Sequence, residues 1–166
     1  HMSALATATI LAQNGIEPIL QFTTRDRNRI AIQGDLLGGW ALDIPNILCL
    51  YGDEVKGGDQ PDTKEVRDLD TIGILKTAHE IKTKKMYPSG RKINDAPEFF
   101  IGGADTPFKV NNDFDGSNLM KKIEAGVEFF QTQYAFDENI LKNYMLKLND
   151  LHITDKAYFI IGLGLI

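Results

Sequence analysis

The chain has 166 residues, 43% of them hydrophobic and 25% charged, with 15 Gly, 6 Pro and a formal net charge of −5. That composition is ordinary for one globular domain and excludes intrinsic disorder and collagen-like structure. Acids are scattered rather than blocked and no basic stripe faces a phosphate backbone, so nucleic acid is not expected as a partner.

Short apolar runs of strand type alternate with longer amphipathic segments along the whole chain. Helical spacing opens it from Leu5 to Gln13. The first strand run is Pro18-Ile19-Leu20-Gln21-Phe22-Thr23, and the amphipathic stretch Arg27 to Leu42 follows. A second run, Asn46 to Tyr51, holds the single cysteine, Cys49, which has no mate for an internal disulfide or a Cys-based zinc site. A helix over Leu69 to Ile81, a strand over Glu98 to Gly102 and a helix over Leu119 to Ala125 come next. A strand over Glu128 to Thr132, a helix over Glu138 to Leu148 capped by Asp137, and a strand over Tyr158 to Gly162 complete the series. No apolar stretch reaches the roughly 18 residues that cross a bilayer, and no basic-then-apolar leader opens the chain. The expectation is no membrane and a reducing cytoplasm.

Strand and helix repeating at roughly thirty-residue spacing predict parallel strands, in a doubly wound sheet or a (β/α)8 TIM barrel. No Gly-x-Gly-x-x-Gly leads a strand into a helix, which favours the barrel. A complete barrel has eight strands in about 250 residues. The five runs therefore predict residues 1–166 to be a single domain, an incomplete barrel supplying its central strands. The apolar run Ile160 to Ile166, with no helix after it, fits an interior portion. His1-Met2 fits a cloning scar or native sequence equally well.

Barrel chemistry sits just past the C-terminal ends of the strands. Those positions hold Thr23 to Arg29, Tyr51-Gly52-Asp53, Gly102 to Pro107, Thr132 to Asp137 and Gly162-Leu163-Gly164. Thr23, Asp53, Thr106 and Gln133 are accordingly expected on one rim. Thr24 or Asp26 could cap the helix that follows, but Arg25, Arg27 and Arg29 oppose its dipole. Pairing with Asp26, Asp35 or carboxylates of a neighbouring loop is favoured over an anionic ligand. Asp53, at the end of a buried strand, is a rigidly held carboxylate that can meet a ligand, or else a turn cap. Gln133 suits a heterocyclic amide edge, or a structural role. Of the two long connections, Asp53 to Asp68 lies on the chemical face and Lys82 to Pro97 on the opposite one. Phe129, Phe130 and Trp40 are expected to pack, and His79 and His152 to be structural or on the surface.

Several stretches together resemble the methylenetetrahydrofolate reductase family. They are Gly15 to Arg29, Asp35-Leu36-Leu37-Gly38, Leu50-Tyr51-Gly52-Asp53 and Lys121 to Asp137, within a similarity running from Leu5 to Gly162. The resemblance implies a flavoprotein oxidoreductase of one-carbon metabolism and methionine biosynthesis. Hydride would pass from a reduced nicotinamide, NADH or NADPH, through FAD to methylenetetrahydrofolate, giving methyltetrahydrofolate. By the same resemblance Asp53 is catalytic and binds substrate, stabilising positive charge on the folate, and Gln133 binds the pterin. The cofactor-binding positions it implies are Ser3, Thr23, Gly52, Asp53, Thr106, Asp115, Asn118 and Lys122. Asp115, Asn118 and Lys122 are expected on one face at the start of a helix, with Lys122 toward the flavin phosphates. No metal is implied.

Two departures stand out: the family's proton-donating glutamate belongs to a first strand this chain does not contain, and Tyr51 stands where many members carry Arg. Without that strand the chain alone is not expected to complete the reaction. A folate-dependent methyl transferase and a non-catalytic folate-binding subunit stay open as alternatives, as do a homo-oligomer and a partner electron-transfer subunit.

Overall fold

The structure is a computed structural model and describes residues 2–164. His1, Leu165 and Ile166 lie outside the described residues, and with them part of the expected opening and of the terminal apolar run. The chain divides into two compact units, His1–Ile101 and Gly102–Ile166.

The first unit holds helix α1 (Ala4–Gln13), strand β1 (Ile19–Thr23), α2 (Arg29–Ala41), β2 (Asn46–Leu50) and α3 (Thr71–Lys84). A single 3-10 turn, Val55–Gly57, interrupts the long connection after β2. Short polar side chains start the helices by taking backbone N–H groups that have no intrahelical partner. Ala6 donates to the Ser3 hydroxyl at 3.1 Å, Ala31 to Asn28 Oδ1 at 3.0 Å, and Gly73 to Asp70 Oδ1 at 2.6 Å. The expected cap of α2 is thereby corrected: Asn28 fills that place. Thr24 is buried, and Asp26 is engaged with Arg25.

β1 and β2 pair in parallel from Ile19↔Asn46 to Thr23↔Leu50. The Phe100 amide donates to the Pro45 carbonyl at 2.9 Å, setting the first residues of β3 (Phe100–Asp105) beside the start of β2. Leu20, Phe22, Ile47, Leu48 and Cys49 from the strands and Ile32, Leu36, Ile74, Leu75 and Ile81 from the helices are all buried. Burying each large aliphatic or aromatic side chain stabilises the unit by about 1.5–3 kcal/mol. Trp40 packs edge-on against Phe99 with centroids 6.0 Å apart, as a packing residue should.

The second unit continues β3 and adds α4 (Ser117–Glu124), β4 (Phe129–Ala135), α5 (Glu138–Asp150) and β5 (Tyr158–Leu163). β3 pairs β4 in parallel from Gly102↔Phe129 to Asp105↔Thr132, and β4 pairs β5 in parallel. Both β3 and β4 end three residues later than the apolar runs suggested, and β3 also starts two later. Ladder pairing, not hydrophobicity, carries Gly103-Ala104-Asp105 and Gln133-Tyr134-Ala135 into the strands. Asp137 caps α5 through Asn139 N at 2.8 Å and Ile140 N at 3.2 Å, as expected. Phe129 and Phe130 are buried, and Phe130 stacks on Phe159 at 5.2 Å. Along β5, by contrast, Tyr158, Ile160 and Leu163 are exposed.

Gly102 makes the β3–β4 contact feasible. A Cβ added there would stand 2.3 Å from the Phe129 ring, inside any real contact distance. Gly102→Ala should therefore force the ring out of its buried site and destabilise the protein by about 1–3 kcal/mol, the usual cost of overpacking a core. Urea denaturation followed by circular dichroism measures this, and an unchanged midpoint would show that the ring moves freely.

Candidate functional site

In the first unit, the chain leaves β2 through Tyr51-Gly52-Asp53. Gly52 has φ +84°, and a Cβ there would lie 3.1 Å from the Cβ atoms of both Thr23 and Arg25. Only glycine meets the backbone and space requirements together, and Thr23 and Gly52 are thereby brought into contact. The carbonyls of this turn have no strand partner, and side chains take them. Arg67 donates from Nη1 to Tyr51 O at 3.1 Å and from Nη2 to Gly52 O at 3.2 Å, with a longer approach of 3.5 Å to Asp53 O. Its Nε pairs with Glu65, and its guanidinium lies 3.8 Å over the Tyr51 ring. Thr24 Oγ1 donates to Tyr51 O at 3.2 Å, and Arg25 Nη1 to Asp53 O at 3.3 Å. The Asp53 side chain itself is exposed and takes no hydrogen bond from any described residue. Thr23 Oγ1 donates to Asp26 at 3.5 Å, while the Ser3 hydroxyl is committed to the first turn of α1.

The three arginines after β1 find internal partners. Arg25 grips Asp26 at 2.6 and 3.0 Å, Arg27 pairs with Asp35 at 2.7 Å, and Arg29 holds Asp68 with two nitrogens at 2.8 and 2.9 Å. The expected pairing is what the structure contains. Hydrogen bonding to Arg25 holds the Asp26 carboxyl below its ordinary range. Asp68 accepts from both the Arg29 side chain and its backbone N–H and is brought down to about 2. The connection Asp53 to Asp68 is tied along its length as well: Val55 N donates to Glu65 and Val66 N to Arg25 O.

In the second unit, β3 ends at Asp105 with exposed Thr106 directly after it. Lys122 Nζ reaches from α4 to the Ala104 carbonyl at 2.7 Å. Burial pushes the Lys122 amine down, and the charge of Asp105 opposes that shift. The Asp105 carboxylate accepts the Tyr144 hydroxyl at 3.0 and 2.9 Å; burial pushes this carboxyl up, and the Tyr144 bond pulls it back. Tyr144 is fully buried, with the rings of Phe108 and Phe114 5.4 and 5.7 Å away. Asp115 departs from the helical-face reading. α4 begins at Ser117, so Asp115 lies ahead of it and accepts the Ser117 N–H at 2.9 Å, while Asn118 and Lys122 are on the helix.

Gln133 lies within β4 rather than past its end. Gln131 pairs with Ile160 but Tyr134 with Gly162, so β4 carries one extra residue there. This is a bulge, a device that re-aims a strand side chain. Thr132 is buried and its hydroxyl accepts the Gly162 N–H at 2.9 Å, standing in for the missing ladder carbonyl. Gln133 is left exposed and without a side-chain partner among the described residues.

Arg67, Glu65 and Tyr144 escaped the sequence reading. Their loop or helix was visible, but nothing in residue spacing links Arg67 to carbonyls some 15 positions earlier or Tyr144 to Asp105. His79 lies in α3, and exposed His152 pairs with Asp155 at 2.9 Å, both away from the strand ends. Among the described residues no group of His, Cys, Asp and Glu could hold a metal ion, and no helix is long and apolar enough to cross a membrane. Cys49 is fully buried, which pushes its thiol up to about 12.

The Arg29–Asp68 pair has a testable acid dependence. Its carboxyl is lower in the folded than in the unfolded chain, so the stabilisation it gives is fully present above the ordinary value of 3.8 and is lost as pH falls through about 2. Carbon-13 NMR of the Asp68 carboxyl should show that low midpoint, and Arg29→Ala should return it toward 3.8. A wild-type midpoint already near 3.8 would mean the pair is not formed.

Parallel strands separated by helices, with polar side chains gathered where the strands end, are the construction of a (β/α)8 barrel. No curated protein matches the chain. The family described as methylenetetrahydrofolate reductase, whose fold is that barrel, matches it over residues 1–161. That match spans nearly the whole sequence, and the chain belongs to the methylenetetrahydrofolate reductase family.

Proposed function

We propose that this protein takes part in the reduction of methylenetetrahydrofolate to methyltetrahydrofolate, with FAD as its bound carrier and NADH or NADPH as donor. The observation that carries the reading is the Tyr51-Gly52-Asp53 turn. Its backbone is fastened by Arg67, Arg25 and Thr24, while the Asp53 carboxylate has no partner among the described residues. A carboxylate carried on a fastened backbone and not engaged by neighbouring side chains is suited to a positive charge that develops during a reaction. Asp53 would accept hydrogen bonds from the pterin and stabilise positive charge as the folate ring opens. Gln133, presented by the bulge, offers both a donor and an acceptor to the pterin edge.

The residues also suit a flavin. Gly52 packs against Thr23 and Arg25 with no room there for a Cβ, and the partly exposed Thr23 hydroxyl at the end of β1 offers a polar group to a flat ring. Lys122 has two further N–H groups besides the one given to Ala104 O. Thr23, Gly52, Asp53 and Thr106 would hold the ring system, and Lys122 with Asn118 and Asp115 the phosphate and adenosine portions. Ser3, already capping α1, would contribute at its margin. When bound, FAD would supply the hydride-carrying chemistry that no side chain here provides.

Gln133 and Lys122 separate the two ligands. Gln133→Ala should weaken folate binding by an amount worth about 1–3 kcal/mol, the cost of an unpaired polar edge, with flavin content near normal. Lys122→Ala should lower flavin occupancy, more so at low salt where the lost charge is least screened. Flavin-to-protein ratios by absorbance and folate titrations measure both. A flavin-free Gln133→Ala protein, or a Lys122→Ala protein that keeps its flavin and loses folate, would refute these assignments.

A further inference from the structure

Arg67 combines features that a surface arginine does not need. Its backbone sits at φ +43°, a region a side chain with a Cβ rarely adopts, and its side chain is mostly covered. Such backbone strain persists where the surroundings determine it and gathers at functional sites. From that position the guanidinium folds back onto three successive carbonyls, those of Tyr51, Gly52 and Asp53, and onto the face of the Tyr51 ring. Glu65 holds the remaining edge of the fork and is itself fixed by the Val55 N–H. Below the turn, Thr24 and Arg25 complete the same set of carbonyls.

We infer that Arg67 is the positioning residue for Asp53: by bridging the carbonyls on both sides of Gly52, it sets where the Asp53 carboxylate stands relative to its ligand. The inference rests on the reading of Asp53 as a folate-binding carboxylate. Gly52, at positive φ and without a side chain, does not hold the turn rigid by itself, because glycine is the residue with the most backbone freedom. A planar guanidinium supplies the rigidity, since its donors lie in one fixed fork and can span neighbouring carbonyls. An ammonium is a single point of donation on a flexible stem and spans them poorly. Charge alone would therefore not replace Arg67, and geometry is what it contributes. Arg67 makes no use of the carboxylate itself, which stays available.

The test is a double-mutant cycle in the intact protein, read as the dissociation constant of methyltetrahydrofolate by fluorescence titration. Flavin content is measured in each variant by absorbance. Asp53→Asn should weaken binding about tenfold or more, as loss of a charged hydrogen-bonding partner does. Arg67→Lys, which keeps the charge and is the variant best able to fold, should weaken binding about tenfold in the native background and hardly at all when Asp53→Asn is already present. Arg67→Gln should behave likewise. Hydrogen exchange of the peptide spanning residues 50–54 should accelerate in both. Full rescue by Arg67→Lys would overturn the inference, as would an equal loss in both backgrounds, because Arg67 would then act by charge or on the fold at large. If Arg67→Lys has no effect while Asp53→Asn does, the inference fails and the folate role of Asp53 stands. If Asp53→Asn leaves affinity unchanged, the folate role fails, and the inference with it.

Discussion

A parallel strand that stops at the edge of its ladder leaves carbonyl and amide groups with no strand to pair with, and polar backbone left unpaired away from water costs about 1–3 kcal/mol per group. This protein meets that constraint with long or hydroxylated side chains brought in from elsewhere in the chain. At the end of β2 the turn carbonyls go to Arg67, Arg25 and Thr24. Near the end of β3 the Ala104 carbonyl goes to Lys122, and where β4 bulges the Gly162 amide goes to Thr132. Because these groups complete the backbone, the neighbouring side chains Asp53, Thr106 and Gln133 are not consumed in doing so. The strand ends are thus both satisfied and chemically available, the condition a ligand site requires.

The electrostatics follow the same division. Charges that serve the scaffold are paired: Arg25 with Asp26, Arg27 with Asp35, Arg29 with Asp68, Arg67 with Glu65. Pairs this exposed add little stability individually, about 0–1 kcal/mol. Their contribution is to fix the Asp53–Asp68 connection and its neighbours in one arrangement. Asp105 differs, being partly buried with a tyrosine hydroxyl as its hydrogen-bonding partner and its carboxyl pushed up. A partly buried carboxylate and a partly buried lysine thus influence one another at the end of β3.

Much of this was legible in the sequence. Each of the five strands and five helices was visible from apolar runs and helical spacing, and Asp137 was recognisable as a cap. What failed did so for identifiable reasons. The ends of β3 and β4 are set by pairing with a neighbouring strand, so polar Asp105, Gln133 and Tyr134 extend the strands against their own propensities. Thr24 or Asp26 was expected to cap α2, but Thr24 is buried and Asp26 is held by Arg25, and Asn28, which the sequence reading passed over, caps the helix instead. The bulge at Thr132-Gln133 depends on β5, some thirty residues later, and has no local signature. Arg67 belonged to a connection marked as a site candidate, yet its grip on Tyr51, Gly52 and Asp53 is a matter of three dimensions alone.

The central claim is that side chains freed at the strand ends receive a reduced folate. Backbone NMR of the intact, isotope-labelled protein, titrated with methyltetrahydrofolate, tests it most directly. The account predicts saturable shifts at Gly52, Asp53 and Gln133, including the Gln133 side-chain amide. Shifts confined to other surfaces, such as the cleft lined by Trp40, Asp43 and Asp95, with Asp53 and Gln133 unmoved, would contradict it.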